Sequence, residues 1–101
     1  MEKLSSRQRK HLKALAHHLD PLVQVGTKGV TDNLLAAVDE ELERHELIKI
    51  KFDDFKDEKK ELTKIISGKT SSEIIGSIGN VVILFRYQPD REKRKVELPD
   101  G

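Results

Sequence analysis

Four residues, Gly26-Thr27-Lys28-Gly29, have types and spacing that suit the binding of a phosphate group. The two glycines tolerate positive φ angles and let the backbone approach a ligand closely, and Lys28 places a mobile cation between them. A helix that begins just after this loop would add unpaired N–H groups and the positive end of its dipole. The loop is therefore a predicted phosphate site. A strand-to-helix turn that simply needs flexible residues is the alternative interpretation.

Other motifs in the chain offer less chemistry. Gly76-Ser77-Ile78-Gly79 has the same glycine spacing, but no helix follows and no cation is present, so it predicts hairpin geometry. Gly68-Lys69-Thr70 lacks the first glycine of a P-loop. The histidines are interpreted as surface or polar-network residues, so we expect no metal and no cofactor. These histidines are His11, His17, His18 and His45.

Capping signals and apolar periodicity predict the elements that precede the loop. Ser5 and Gln8 have the spacing of a capping box at the start of a helix. Pro21 should stop this helix at Leu19 or Asp20. A buried strand over residues 22–25 then leads into the loop. The apolar stripe of the helix consists of Leu12, Leu15, Ala16 and Leu19.

A second helix should begin directly after the loop, because Thr31 has the chemistry of an N-cap. Residues 47–52 alternate in polarity, which predicts a half-buried strand with Lys49 and Lys51 on its outer face. The buried stripe of the second helix is predicted to be Leu34, Leu35, Val38 and Leu42.

The last elements complete the order α-β-α-β-α-β-β, which is typical of a single α/β layer sandwich. A third helix is predicted over residues 57–67, with Gly68 as its C-cap. Two strands with a tight Gly79-Asn80 turn form a hairpin. The residues that the third helix should bury are Leu62, Ile65 and Ile66.

Length and composition fit one domain, since the chain has 101 residues. We expect this domain to occupy residues 1–87 and a charged tail to occupy residues 88–101, where Val96 and Leu98 could add a short strand. No apolar run approaches the roughly 20 residues of a membrane span, and the lack of cysteine suits a reducing interior. We therefore expect a cytoplasmic protein without membrane contact.

Charge is distributed unevenly along the chain. Residues 1–31 carry six Lys and Arg against two Asp and Glu, whereas residues 32–46 carry one Arg against six acidic residues. A nearly neutral chain with this segregation can present a basic face to a polyanion. Only three Phe and one Tyr are present, so contacts to nucleic-acid phosphates are expected to dominate over base stacking.

Five stretches of the sequence resemble the bacterial YhbY-type proteins, which are single copies of the CRM (chloroplast RNA splicing and ribosome maturation) domain. Together they span nearly the whole chain in the expected order, and the HELIK motif, His45–Lys49, is distinctive. The resemblance implies a compact α/β sandwich with a mixed four-stranded sheet, like the carboxy-terminal domain of translation initiation factor three. The stretches are Leu4–Arg9, Ala16-His17, Pro21–Thr31, His45–Lys51 and Ile78–Arg86.

The same resemblance implies RNA binding in ribosome maturation, with precursors of the large subunit as the partner. Two positions depart from the family. Many members have a lysine where Thr27 stands, and a tyrosine is common in place of Phe85. Lys49 and Lys51 face either RNA or solvent. The residues assigned to the RNA surface by position are Gly26, Thr27, Lys28 and Gly29 in the loop, with Arg7, Arg9 and Lys13 on the first helix.

Three hypotheses follow. The leading one is a monomeric, non-catalytic RNA-binding protein without a small-molecule substrate. The second is a protein-interaction module whose acidic second helix docks a basic ribosomal protein. The third is a small RNA-processing enzyme with His17 or His45 as general base. Because no Ser, His and Asp arrangement has the local context of a hydrolase, we predict that the protein is not an enzyme.

Overall fold

A computed structural model describes residues 3–100, which form three α helices and one four-stranded sheet. Short 3₁₀ turns at Lys56–Glu58 and Arg91–Lys93 accompany them. The predicted element order and fold class are confirmed. Within the described range, no helix is long and apolar enough to cross a membrane. The elements are α1 (Ser6–Ala16), β1 (Val23–Val25), α2 (Asp32–His45), β2 (Leu47–Phe52), α3 (Lys59–Thr70), β3 (Glu73–Ile78) and β4 (Val81–Phe85).

The sheet has the strand order β1-β2-β4-β3. β1 runs parallel to β2 and places Val25 beside Phe52, whereas β4 pairs antiparallel with both β2 and β3. Gly79, with φ +58°, lies in the turn that joins β3 to β4. The predicted mixed sheet and hairpin are therefore confirmed. Because of this topology, the glycine loop and the hairpin turn lie at the same end of the sheet.

Side-chain caps begin α1 and α2, as the sequence predicts. The Gln8 N–H donates to Ser5 Oγ at 3.1 Å, and the Ser5 N–H donates to Gln8 Oε1 at 2.9 Å. The Leu34 N–H donates to Thr31 Oγ1 at 3.0 Å. Each cap satisfies a donor that the helix start would leave unpaired. Thr31 thereby fixes where α2 begins and how long the loop before it can be.

α1 ends at Ala16, earlier than the predicted end at Leu19 or Asp20. The segment that follows is tied to β2. Lys49 Nζ donates to the Leu19 carbonyl at 2.9 Å, and the Leu22 N–H donates to the Lys49 carbonyl at 3.0 Å. The chain must leave the helix early because it has to reach this pairing with β2. As a result, α1 covers only part of its side of the sheet.

α3 continues to Thr70, so the prediction of an end at Ser67 with Gly68 as C-cap is wrong. The buried Thr70 hydroxyl donates to the Ile66 carbonyl at 2.7 Å. Ser71, with φ +53°, is the residue that ends the helix. The exposed Gly68 is tolerated inside the helix because the hydrogen bond of Thr70 stabilises the final turn on its buried side.

Three apolar residues that the periodicity predicted to be buried are exposed: Leu15 at 40%, Leu19 at 38% and Ile65 at 48%. Leu12 and Ile66 from the same stripes are fully buried. The centre of each apolar stripe therefore faces the core, whereas the residues at its edges are exposed to solvent. For α1 the physical reason is its early end, which leaves no layer over the last apolar positions. The remaining predicted core residues that are only half-buried are Leu34, Leu35 and Leu62.

Apolar side chains pack on both faces of the sheet. α2 and α3 cover one face, where β2 contributes Ile48, Ile50 and Phe52. α1 covers part of the other face and packs on Leu47, Ile83 and Phe85. Successive strand residues point to opposite faces, so Lys49 and Lys51 lie on the same side as α1. They follow Leu47 along β2, beyond the part that α1 covers.

Residues 88–100 fold back against the α1 side of the sheet, and no strand forms within them. Val96 and Leu98 pack against the core there, and the Arg94 guanidinium lies 4.0 Å from the centre of the Tyr87 ring. The short strand considered for this segment is therefore absent. The division between a domain over residues 1–87 and a tail stays a prediction.

The carboxylate of Glu46 holds this segment in place. Glu46 is fully buried, has φ +64° and follows the last residue of α2. Its oxygens accept the N–H of Gln88 at 2.8 Å, the N–H of Val96 at 2.9 Å and the N–H of Lys95. A buried carboxylate must be compensated by hydrogen bonds of this kind. The glutamate of the HELIK motif therefore has a structural role that the sequence reasoning missed.

Candidate nucleic-acid interface

The two glycines of the loop have different structural requirements. The Gly29 N–H donates to the Gly26 carbonyl at 3.0 Å and closes a tight turn. Gly29 has φ +69°, and a Cβ added there would lie 3.3 Å from the Phe55 ring. A Cβ added at Gly26 would meet no atom within 4 Å. The turn thus requires Gly29, whereas Gly26 leaves open space over the backbone.

Charges around the loop favour an anion over its backbone. Thr27 and Lys28 are exposed at the tip, and α2 begins three residues after Gly29. Lys28 and the positive end of the α2 dipole attract an anion. Asp32, exposed in the first turn of α2, repels one at the helix terminus itself. A phosphate is therefore best placed at the loop amides beside Lys28.

An open groove of about 550 Å³ extends from the loop along β1. β1 is an edge strand, because β2 is its neighbour in the sheet and its other side carries no strand of the described chain. A groove that joins an apolar wall to a cationic loop suits single-stranded nucleic acid, whose bases and phosphates need both. Besides the loop, the groove is lined by Leu22, Val23, Gln24, Thr31, Asn33, Leu34 and Ala37.

Lys51 continues the basic surface from the loop onto the sheet. It pairs in register with Gln24, which lies two residues before the loop. Its Nζ is 3.7 Å from the Asp53 carboxylate, and both side chains are exposed. Exposed pairs of this kind contribute little, so Lys51 can exchange this partner for a phosphate. Lys49 is half-buried and also anchors the segment after α1 through its bond to Leu19.

Lys13 is an α1 residue that lines the same depression as Lys49. Its aliphatic chain runs over Gly76, where an added Cβ would lie 3.0 Å from Lys13 Cε. Lys13, His17 and Lys49 line one depression on the sheet. The structure therefore brings together Lys13, Lys49 and Lys51 on the side of the sheet that α1 leaves partly open.

Arg7 and Arg9 lie elsewhere. The Arg9 guanidinium donates to the Ile74 carbonyl at 2.7 Å and lies 3.8 Å from Glu73, at the start of β3. Arg7 donates to the Asp100 carbonyl at 3.4 Å. The start of β3 is at the opposite end of the sheet from the glycine loop. These two predicted RNA residues are therefore separated from the loop and bonded within the fold.

The acidic face of α2 is partly neutralised by the protein itself. Arg86 contacts the carboxylates of Asp39 and Glu43. Arg44 lies 2.7 Å from Glu40. Sequence reasoning did not identify Arg86 as a tie between β4 and α2. The sequence indicates this contact only through the position of Arg86, which directly follows the apolar strand β4.

His18 and His45 line one depression, and the His17 and His18 rings lie 5.3 Å apart, but the four histidines are not gathered in one cluster. His11 Nε2 lies 2.9 Å from the Glu97 carbonyl, and His45 Nε2 lies 3.4 Å from Glu41. His17 is exposed. Within residues 3–100, no three His, Asp or Glu side chains form a group that could hold a metal ion. The histidine surroundings therefore give no support to a metal-assisted reaction.

Comparisons with known proteins identify relatives that match nearly the whole chain. An "RNA-binding protein" of Haemophilus influenzae is 38% identical over 98% of this chain and 98% of its own length. YqeI of Bacillus subtilis is 34% identical over 95% of this chain and 99% of its own length. The solution structure of SAV1595 from Staphylococcus aureus superimposes with a TM-score of 0.79 at 35% identity, over 96% of this chain and all of that one.

The sequence model of the CRS1 / YhbY (CRM) domain matches residues 4–86. This range contains the glycine loop, the HELIK motif and all four strands. The expected resemblance is confirmed. The chain belongs to the CRS1 / YhbY (CRM) domain family.

Proposed function

We propose that this protein binds single-stranded regions of RNA through the Gly26–Gly29 loop and the groove beside it, without catalysing a reaction. The observation that carries the proposal is the loop itself. It combines an exposed lysine, a glycine with open space over its backbone and the start of a capped helix. Relatives that cover nearly the whole chain support it, since the Haemophilus influenzae protein is named as RNA-binding.

The remaining lysines extend the contact beyond the loop. Lys51 and Lys49 follow the loop across the sheet, and Lys13 joins them from α1. Each lysine that neutralises a phosphate releases a counterion, so binding should weaken steeply as salt rises. Arg7 and Arg9 contribute less in this proposal, because both are bonded within the fold far from the loop.

The bound RNA is proposed to be a precursor of the large ribosomal subunit, with the protein acting as a cytoplasmic monomer. This follows the function that the family resemblance implies. Crosslinking in cells and sequencing of the attached RNA tests it directly. Enrichment of large-subunit precursor over mature ribosomal RNA is the expected result. Equal recovery of all cellular RNAs would contradict this assignment while leaving RNA binding intact.

The competing function, docking of a basic protein on α2, is weakened by the ion pairs on that helix. Asp39, Glu40 and Glu43 already contact Arg86 or Arg44. A basic partner would therefore meet carboxylates whose charge is already partly neutralised. The same acidic surface also disfavours RNA at these carboxylates.

The test is an RNA titration of the double variant Lys28→Ala, Gly29→Asp at moderate salt. We expect affinity to fall on the order of 30-fold, because a cation is lost, a carboxylate is added to the loop and the turn that requires Gly29 is strained. The matched control is Lys69→Ala, Ser71→Asp. It makes the same change in charge and also places Asp at a positive φ, near the end of α3. Equal affinities of the two variants would remove the loop from the mechanism.

A further inference from the structure

The side of the sheet that α1 leaves uncovered carries an apolar surface that the loop mechanism does not use. We call it the open sheet face and define it by Ile78 and Val81 with Lys49 and Lys51, and the buried Ile83 lies beneath it. Ile78 is 73% exposed, the highest exposure among the large apolar residues of the described chain. Ile78 is paired in register with Val81 and lines two adjoining depressions, so it belongs to an apolar patch and is not a singly exposed side chain.

Lysine and histidine side chains border this apolar surface. Two adjoining depressions of about 260 and 280 Å³ lie over Ile78 and Ile83, and each is bordered by His17 and Lys49. Lys13 closes one of them across Gly76. No Asp or Glu of residues 3–100 lines either depression. An apolar floor inside a basic rim matches a ligand with a flat apolar part and a negative backbone.

The open sheet face is continuous with the glycine loop. One row across the sheet consists of Gln24, Lys51, Val81 and Ile78, which are partners in register from β1 to β3. This row spans three strand spacings, about 14 Å. Gln24 stands two residues before the loop. An extended chain held at the loop can therefore continue across Lys51 to Ile78.

We propose that the open sheet face seats one or more unstacked bases of the RNA strand whose backbone is held at the loop, while Lys13, Lys49 and Lys51 contact the neighbouring phosphates. This inference rests on the proposed function and names a second contact for the same ligand. No Phe, Tyr or Trp of residues 3–100 lines the two depressions, so the base is held chiefly by apolar contact with Ile78 and Val81, with the His17 imidazole at the rim. Such contact favours single strands, because paired bases are not exposed.

The test compares Ile78→Ser with the matched control Ile65→Ser. Both isoleucines are exposed, but Ile65 lies on α3, on the other side of the sheet. The probe is a short labelled single-stranded RNA of mixed sequence, and an abasic strand of the same length serves as the second probe. We expect Ile78→Ser to weaken binding of the RNA about fivefold and to leave binding of the abasic strand unchanged. Ile65→Ser should change neither.

A second readout is the methyl shift of Ile78 in NMR spectra during the titration. A base seated on this side chain should move the Ile78 methyl resonance upfield and leave the Ile65 methyl in place. Equal affinity of Ile78→Ser and the unaltered protein for the RNA would overturn the inference. An equal loss with the abasic strand would also overturn it, as would self-association of the protein that Ile78→Ser abolishes.

The loop variant distinguishes a failure of the proposed function from a failure of the inference about the open sheet face. If Lys28→Ala, Gly29→Asp weakens RNA binding while Ile78→Ser does not, the loop mechanism stands and the open sheet face is wrong. If the loop variant binds as well as its control, the proposed function fails first, whatever Ile78 does.

Discussion

Two Gly-x-x-Gly segments with the same spacing stand in this chain, and the fold uses them differently. Gly26–Gly29 is a turn between an edge strand and a capped helix, with an exposed lysine inside it. Gly76–Gly79 begins in β3 beside a register shift and ends in a hairpin turn, with Ser77 and Ile78 between the glycines. In both segments the last glycine has a positive φ, +69° and +58°. The first glycine is what distinguishes them.

Gly26 and Gly76 leave out a Cβ for opposite reasons. Above Gly26 there is open space, whereas above Gly76 lies the aliphatic chain of Lys13. The absent side chain at Gly76 is explained by packing within the protein. The one at Gly26 has no such explanation, which is what a site for close approach of an external ligand requires. Spacing alone therefore does not distinguish the two segments, but the contacts of their first glycines do.

Among the substitutions that test this comparison, Gly26→Val is expected to have the largest effect on RNA affinity. The added Cβ meets no protein atom within 4 Å and no positive φ is demanded of it, so the free energy of unfolding should change by less than about 0.5 kcal/mol. RNA affinity should fall about tenfold, because the side chain fills the space over the proposed phosphate position. Chemical denaturation and an RNA titration measure the two quantities. A stability loss in proportion to the affinity loss would show that Gly26 is structural.

Gly79→Ala is expected to have the reverse pattern. Its φ of +58° costs an alanine about 1 kcal/mol in the free energy of unfolding. RNA affinity should stay within about twofold, since a methyl group at the hairpin turn blocks no proposed contact. The same denaturation and titration experiments apply. If affinity fell tenfold at this position, the two Gly-x-x-Gly segments would not differ in function as described.

A smaller effect is expected for Gly76→Ala. The new Cβ would lie 3.0 Å from Lys13 Cε, so the flexible end of that side chain must move. If Lys13 contacts RNA from its position over the sheet, affinity should fall about threefold. Lys13→Ala is the reference variant, and combining it with Gly76→Ala should add no further loss. An additive loss in the double variant would show that Gly76 acts independently of Lys13.

The smallest expected effect is on the salt dependence of binding. Removal of one phosphate contact from a single strand should reduce the slope of log affinity against log salt by about 0.7. Lys28→Ala should show this reduction, whereas Ile78→Ser should keep the slope of the unaltered protein. The titrations are repeated at several salt concentrations. An unchanged slope for Lys28→Ala would mean that Lys28 meets no phosphate.

The sequence was sufficient where structure is set by neighbours along the chain. The caps at Ser5 and Thr31 and the turn at Gly79 are local, since each depends on residues within a few positions. The order of elements and the position of the loop before α2 followed from these signals. The family resemblance then supplied the sheet type.

The sequence was insufficient where distant parts of the chain meet. The early end of α1 depends on the pairing of Leu22 with Lys49, and the burial of Glu46 depends on residues more than 40 positions later. Periodicity shows which face of a helix is apolar, but not how far the next layer extends over it. Leu15 and Ile65 are exposed for lack of such a layer.

The candidate site, too, was predicted from the sequence only in part. The loop residues were identified from the sequence, and the structure adds the groove beside them. The predicted basic residues looked equivalent in the sequence. In the fold, Lys51 lies beside the strand that leads into the loop, whereas Arg9 is bonded to Ile74 at the other end of the sheet. Only the topology separates them.

The most direct test of the central claim is the backbone amide shift of the loop in an RNA titration followed by NMR. The account predicts that the Gly26 and Gly29 amide signals move in proportion to bound RNA. The amide of Gly68, exposed on α3, should stay in place. Bound RNA that shifts other amides while those of Gly26 and Gly29 stay unchanged would contradict it.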